Sequence, residues 1–329
     1  MDPLSHGIFG ASIAHFSAKN PSKLRWALLV GFLAGIAPDL DVLIRSAEDP
    51  LLFLEYHRQF THSLFFIPIG ALLCTLALYP FLRKKLTFLE LYFYAFLGYS
   101  THGLLDSFTS YGTQLLWPFS SLRVSWNNIS IIDPLFTLPI LALLFVAFMR
   151  KQFRYARYAF VYILAYLSFS MVQHERAQTL VLALATERGH NPVRLISKPT
   201  LGNLILWRLV YEYDGRYFVD AAKLGWDSVT IPGKSIAKLD INNDYPWLLK
   251  GSVQAKDIER FRWSSAGFLA KVPNDNLMIM DVRYSFIPNE LSPLWVIRLN
   301  PKTPEQHVEY LDIRDNVIKD RQRFLDLLF

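Results

Sequence analysis

Long apolar runs separated by short polar connections occupy the chain up to about residue 173, and shorter alternating runs bounded by turn residues fill the remainder. Three runs, 64–82, 87–105 and 131–149, approach the roughly 20 residues that cross a hydrocarbon core about 30 Å thick, and none contains lysine or arginine. Residues 158–172 form a fourth, shorter candidate, while 3–18 and 26–38 are shorter still and suit tilted, re-entrant or packed helices. The pattern predicts a membrane all-α helical bundle of about six helices, some short, over residues 1–173. A smaller β-rich α+β extramembrane domain is expected over 174–329.

In that second part, Leu204 to Tyr213, a turn at Asp214-Gly215 and Arg216 to Ala221 read as a β-hairpin. Phe261 to Lys271, Leu277 to Phe286 and Leu294 to Leu299 are further strand candidates, and Pro304 to Leu328 is expected to be helical.

Charge adds orientation. Lys19, Lys23 and Arg25, then Arg83 to Lys85, then Arg150, Lys151, Arg154 and Arg157 each lie between two apolar segments, whereas the alternate connections hold only Arg45, Arg58 and Arg123. The positive-inside rule puts the first set in the cytoplasm of a multi-pass membrane protein. The net charge of +6 is then a topology signal and gives no reason to expect nucleic-acid binding. Met1-Asp2-Pro3-Leu4 has no basic leader, so an uncleaved, outward-starting N-terminus is expected. The one cysteine, Cys74, sits inside an apolar run, which excludes an intrachain disulfide and a thiolate metal cage.

With that orientation, the histidines and aspartates at the helix ends gather on the outer side. His102 and Asp106 stand four residues apart on one helical face, where an imidazole nitrogen and a carboxylate oxygen can share a cation. A helix-surface hydrogen bond would explain that pair alone. His62 and Asp39 fall at the same predicted level on other segments, and ionisable groups at membrane depth are costly enough to mark function. Asp39, His62, His102 and Asp106 therefore form the expected ligand set for a divalent metal, zinc or manganese. His6 and His57 are further candidate ligands. Asp41 is either another ligand or the base that takes a proton from water, and Arg58 can clamp an anionic oxygen. For Asp41 and His57, ordinary turn chemistry explains the residues about as well. Asp133, ahead of Pro134, reads as a helix cap, and His15, His174, His190 and His307 stand apart from the group.

Ser5-His6-Gly7 with Gly10, Pro38-Asp39-Leu40-Asp41, His57-Arg58 with Thr61-His62-Ser63, and Thr101-His102-Gly103-Leu104-Leu105-Asp106 together resemble the YdjM-type membrane-bound metal-dependent hydrolases. Thr109 to Gln114 and Trp117-Pro118 continue the likeness, which covers roughly residues 1–150. Asp281 to Tyr284 and Pro293 to Trp295 look like the extension of longer members. That family is distantly similar to zinc-dependent phospholipase C and the fungal single-strand nucleases, in which one cation is held by Asp, His and His-x-x-x-Asp in that order. Asp39, His62, His102 and Asp106 reproduce the order, but counterparts of the free N-terminal Trp ligand and the late His-x-x-x-Glu pair are missing, which leaves the number of metals open.

These features predict a membrane-bound metal-dependent hydrolase acting on a phosphoester of a lipid or lipid-linked substrate, with metal-activated water as nucleophile. A structural metal site, or a cation or transport role, is the alternative. Transport is disfavoured because the polar residues sit at helix ends and not in mid-span. Oligomeric state and substrate are not legible.

Overall fold

The computed structural model describes residues 1–18, 20–314 and 316–329, without the side chains of 316–319. Lys19, counted above in the first basic cluster, lies outside the described residues. The chain divides into two compact units: Met1–Leu43 with Tyr56–Val172 and Leu201–Asn203, and Ile44–Glu55 with Gln173–Thr200 and Leu204–Phe329.

The helices in chain order are α1 (Pro3–Ser17), α2 (Leu24–Ile36), the short α3 (Leu52–Tyr56), α4 (Ile67–Leu82), α5 (Phe88–Ser107), α6 (Pro134–Arg150) and α7 (Phe153–Glu187). Among the described residues, α1, α2, α4, α5, α6 and the first part of α7 carry the first unit, close to the expected number of helices. Three helical stretches are long and apolar enough to cross a membrane: Pro21–Leu43, Leu64–Leu82 and Phe153–Glu187.

Only 64–82 among the longest expected spans is in that group. The run expected at 131–149 is the shorter Pro134–Arg150, because Asp133 accepts from the amides of Leu135 and Phe136 and fixes the helix start. The run at 87–105 does form a helix of 20 residues, α5, but Glu90, His102 and Asp106 make it too polar to count with the other three. Conversely, 26–38 is longer than expected, since 3₁₀ turns at Pro21–Lys23 and Ala37–Leu43 extend α2 at both ends. Residues 158–172 are the middle of a helix of 35 residues. Composition changes at residue 173, but the backbone has no reason to stop there. Ala156, Ile163, Ser170, Ala177, Val181 and Ala185 keep one buried stripe, and the next helix breaker is Gly189 at φ +71°.

Glycines set how closely α1, α2 and α5 approach. A Cβ on Gly10 would lie 2.4 Å from the carbonyl oxygen of Gly31, and one on Gly98 would lie 2.5 Å from the same atom. The backbones therefore touch without intervening side chains, a close approach that Gly31 and Gly35, four residues apart on α2, permit. This contact brings His6 of α1, the end of α2 and His102 of α5 to one level.

The second unit holds two antiparallel four-stranded meanders. The first is β1 (Arg194–Pro199), β2 (Leu206–Tyr213), β3 (Arg216–Leu224) and β4 (Ser228–Ala237); the second is β5 (Leu269–Val272), β6 (Asp275–Asp281), β7 (Trp295–Arg298) and β8 (Glu309–Asp312). Tyr213 pairs with Arg216 around Asp214 and Gly215, both at positive φ, as a tight two-residue hairpin demands. Val210, Val219, Met280 and Val296 share one core between the sheets. The strand expected over Phe261 to Lys271 is half helix. After α8 (Ile241–Asp244), α9 (Val253–Ser264) buries Gln254, Asp257, Ile258 and Phe261 at helical spacing behind a Ser252 cap, and only Leu269 onward is strand. The expected C-terminal helix is β8 followed by α10 (Asn316–Leu328).

Candidate metal centre

Asp39 lies in the 3₁₀ extension of α2, His62 in the 3₁₀ turn Phe60–His62, and His102 and Asp106 one turn apart on α5. The fold brings the four together: one donor atom from each lies within 4.8 Å of all the others. His62 Nε2 is 2.9 Å from His102 Nε2, 3.6 Å from Asp39 Oδ1 and 3.3 Å from Asp106 Oδ2. His102 Nε2 is 3.3 Å from Asp39 Oδ1 and 3.7 Å from Asp106 Oδ2. Donors about 2.0–2.1 Å from a common centre in a tetrahedron stand about 3.3 Å apart, so these spacings are those of a ligand shell.

The surroundings fix which nitrogen faces inward. His102 Nδ1 is 2.6 Å from the carbonyl oxygen of Gly35, an atom that can only accept, so Nδ1 carries the hydrogen and Nε2 offers its lone pair. His62 Nδ1 is 3.0 Å from Thr61 Oγ1, and because that hydroxyl gives its own hydrogen to Asp41 Oδ2 it can only accept from the ring, with the same consequence; Asp41 Oδ2 itself lies 3.2 Å from Nδ1. Two lone pairs 2.9 Å apart, beside two carboxylates, repel unless something positive lies between them. Burial opposes charge on His62, but Asp106, Asp39 and Asp41 outweigh it and push the imidazole up to about 10. A proton or a metal ion therefore belongs at this point. Asp106 Oδ2, fully buried, accepts no hydrogen bond, although Arg58 Nε lies 3.1 Å away. The donor set thus fits a divalent metal, and of the four side chains only that of Asp39 is partly exposed, at 17%.

The other expected site residues surround this group. Asp41 accepts from the Arg58 amide at 3.0 Å and the Thr61 hydroxyl at 2.7 Å, and its Oδ1 is 2.7 Å from His57 Nδ1. It is thus the hub that orients His62. Asp39, Asp41 and His57 form a second, overlapping group close enough to hold an ion. Burial lowers the His57 imidazole from its ordinary range, although Asp41 works the other way. His6 is in neither group; its Nε2 is 3.1 Å from Asp106 Oδ1 and its ring stacks on His102 at 3.6 Å. The Met1 amino group also pairs with Asp106 Oδ1. Arg58, buried and at φ +64°, donates to Thr109 Oγ1 at 3.0 Å. Its Nε is 3.1 Å from Asp106 Oδ2 yet not aligned to bond it.

Three contributors carried no role in the sequence: the Gly35 carbonyl, Thr61 and Thr109. Backbone groups have no residue signature, but both threonines adjoin motif residues. Asp133 caps α6, as expected, and receives the Tyr166 hydroxyl at 2.7 Å. His15, apart from this group as expected, is buried with neither ring nitrogen hydrogen-bonded.

Fold and site define a membrane protein with several apolar helices and a buried group of two histidines and two aspartates able to hold a metal ion. The family of the YdjM inner membrane protein matches residues 1–177, and the chain belongs to it, in agreement with the motif resemblance. The chain is also similar to the uncharacterized protein YfhP of Bacillus subtilis (strain 168), 29% identical over 140 residues, which is 41% of this chain and 42% of YfhP. The match thus spans less than half the length of that relative. No solved structure matches.

Proposed function

We propose that this protein is a membrane-bound metal-dependent hydrolase of a phosphoester carried by a lipid or lipid-linked substrate, with Asp39, His62, His102 and Asp106 as ligands of zinc, or else manganese. The observation that carries the reading is Arg58. Its buried guanidinium stands beside the metal group, with Nε 3.1 Å from Asp106 Oδ2 but not bonded to it, where a guanidinium can meet an anionic oxygen of a bound substrate, and its left-handed backbone is the kind of strain kept where a side chain must be aimed. A bound divalent metal supplies a more acidic water and charge neutralisation at a phosphoryl oxygen. Arg58 would hold a second phosphoryl oxygen, and Asp41 would orient His62. If His57 leaves it, Asp41 would also accept a proton. The basic clusters between apolar segments support a site on the outer face of the inner membrane.

A structural cation is the second reading, favoured by one observation: four protein donors already fill a tetrahedral shell. Metal content of purified protein, with a chromogenic phosphoester assay with and without chelator, separates the two. Stoichiometric metal lost in His102→Ala/Asp106→Ala, with chelator-sensitive turnover that Arg58→Lys abolishes, supports the hydrolase. Metal bound without turnover leaves the structural reading, and absence of metal removes both.

A further inference from the structure

Between α5 and α6 the chain makes a loop closed by the Thr113 and Val124 backbones, which exchange hydrogen bonds of 3.0 and 2.8 Å. A loop tip is ordinarily polar, because its unpaired backbone faces water. This one reads Leu115-Leu116-Trp117-Pro118-Phe119-Ser120-Ser121-Leu122, with Phe119 77% and Leu122 65% exposed. The exposed apolar surface does not stop at the loop. The Phe119 ring packs on Phe65 at 4.7 Å, and Phe65, itself half exposed, opens the apolar stretch Leu64–Leu82, whose outward face continues through Ile69, Leu73 and Leu76. That stretch is long and apolar enough to cross a membrane, so what covers its outward face is lipid, and the loop extends the same surface. The loop is also tied to the metal group: the Gln114 amide donates to the Arg58 carbonyl and the Leu64 amide to the Leu115 carbonyl, each at 3.0 Å.

We propose that the Thr113–Val124 loop is a wedge seated in the lipid monolayer, with Phe119 and Leu122 among the acyl chains, and that it sets Arg58 and the metal group at the depth of the lipid phosphates. Its first part is independent of the hydrolase reading. Its second part rests on that reading and names the substrate as a phospholipid or lipid phosphate taken from the bilayer, not a soluble phosphoester.

Cys74 is the one native cysteine, so a Cys74→Ser background allows single labelling. Phe119→Cys, Leu122→Cys and, as the water-exposed reference, Asp214→Cys at the β2–β3 turn would carry a polarity-sensitive fluorophore in phosphatidylcholine and phosphatidylglycerol vesicles. Quenching by acyl-chain nitroxide should exceed quenching by aqueous iodide severalfold at 119 and 122, with the reverse at 214. Iodide access at 119 equal to that at 214 overturns the wedge, as does protection from both quenchers, which points to a protein partner. For the second part, unlabelled Phe119→Ser/Leu122→Ser should lose tenfold or more of turnover on vesicle-borne lipid phosphate while keeping turnover of a soluble phosphoester within twofold. Equal loss on both overturns the depth-setting role. Absence of turnover in the wild type overturns the hydrolase reading alone, and quenching still decides the wedge.

Discussion

His62 and His102 meet Nε2 to Nε2 at 2.9 Å, each ring held from behind by an acceptor, the Thr61 hydroxyl anchored on the Asp41 carboxylate for one and the Gly35 carbonyl for the other. The acceptors select the tautomers, and the tautomers create a point that requires a cation. The candidate centre is therefore built as much by the atoms behind its donor side chains as by the donors.

Asp41→Asn should show this directly. The amide cannot draw the His62 Nδ1 hydrogen as a carboxylate does, so metal is still bound but about 10–100-fold more weakly, the usual cost of removing such a partner. Competition with a calibrated chelator measures it, and unchanged affinity would remove Asp41 from this role. Loss of all binding would mean instead that Asp41 is itself a ligand.

Gly103→Ala tests the backbone that carries His62. A Cβ there would stand 2.2 Å from the His62 carbonyl oxygen, a backbone atom that moves only with its segment. Overpacking of this kind costs about 1–3 kcal/mol, and the strain falls on the ligand itself. A lower thermal midpoint together with weaker metal binding is expected. A midpoint equal to the wild type, with metal affinity intact, would show that the turn can yield.

Metal occupancy should itself stabilise the fold. Without metal, a proton on His62 and the nearby Arg58 must offset the carboxylates of Asp39 and Asp106. Free metal at about 100 times its dissociation constant contributes about 2.7 kcal/mol. The thermal midpoint in detergent should rise with added zinc and fall with chelator, and Asp106→Asn should flatten both responses. A midpoint insensitive to zinc and chelator in the wild type would argue against an occupied site.

That His102 and Asp106 come together was legible because helical spacing puts positions four apart on one face; Asp39 and His62 stood out because apolar runs end beside them. The hairpin at Asp214-Gly215 followed from its turn residues. What stayed hidden depends on contacts distant in sequence. Composition changes at Gln173, where α7 simply continues with a buried stripe of small residues. Phe261 lies in a stretch dense enough in apolar residues for a strand, and only the spacing of Gln254, Asp257 and Ile258 reveals a helix. Nothing in Asp41 itself distinguishes a turn residue from the support behind His62; that required the fold.

Stability of the second unit should depend on pH through Lys198. Its Nζ lies 3.3 Å from the centre of the Tyr284 ring, and burial, reinforced by Arg208 and Arg283, holds its ammonium well below the ordinary lysine range. In the unfolded chain the same group titrates near about 10.4. Between the folded value and that one, the unfolded chain binds the extra proton, so stability rises with pH across this window and the cost of burying Lys198 fades toward its upper end. Lys198→Met removes the term. The variant should therefore unfold at a higher temperature than the wild type near neutral pH, with the gap closing as pH approaches about 10. Thermal midpoints of both proteins across that range decide it: a constant gap would mean that the methionine acts through packing alone, and no gap at any pH would mean that the Lys198 amine is as well solvated folded as unfolded.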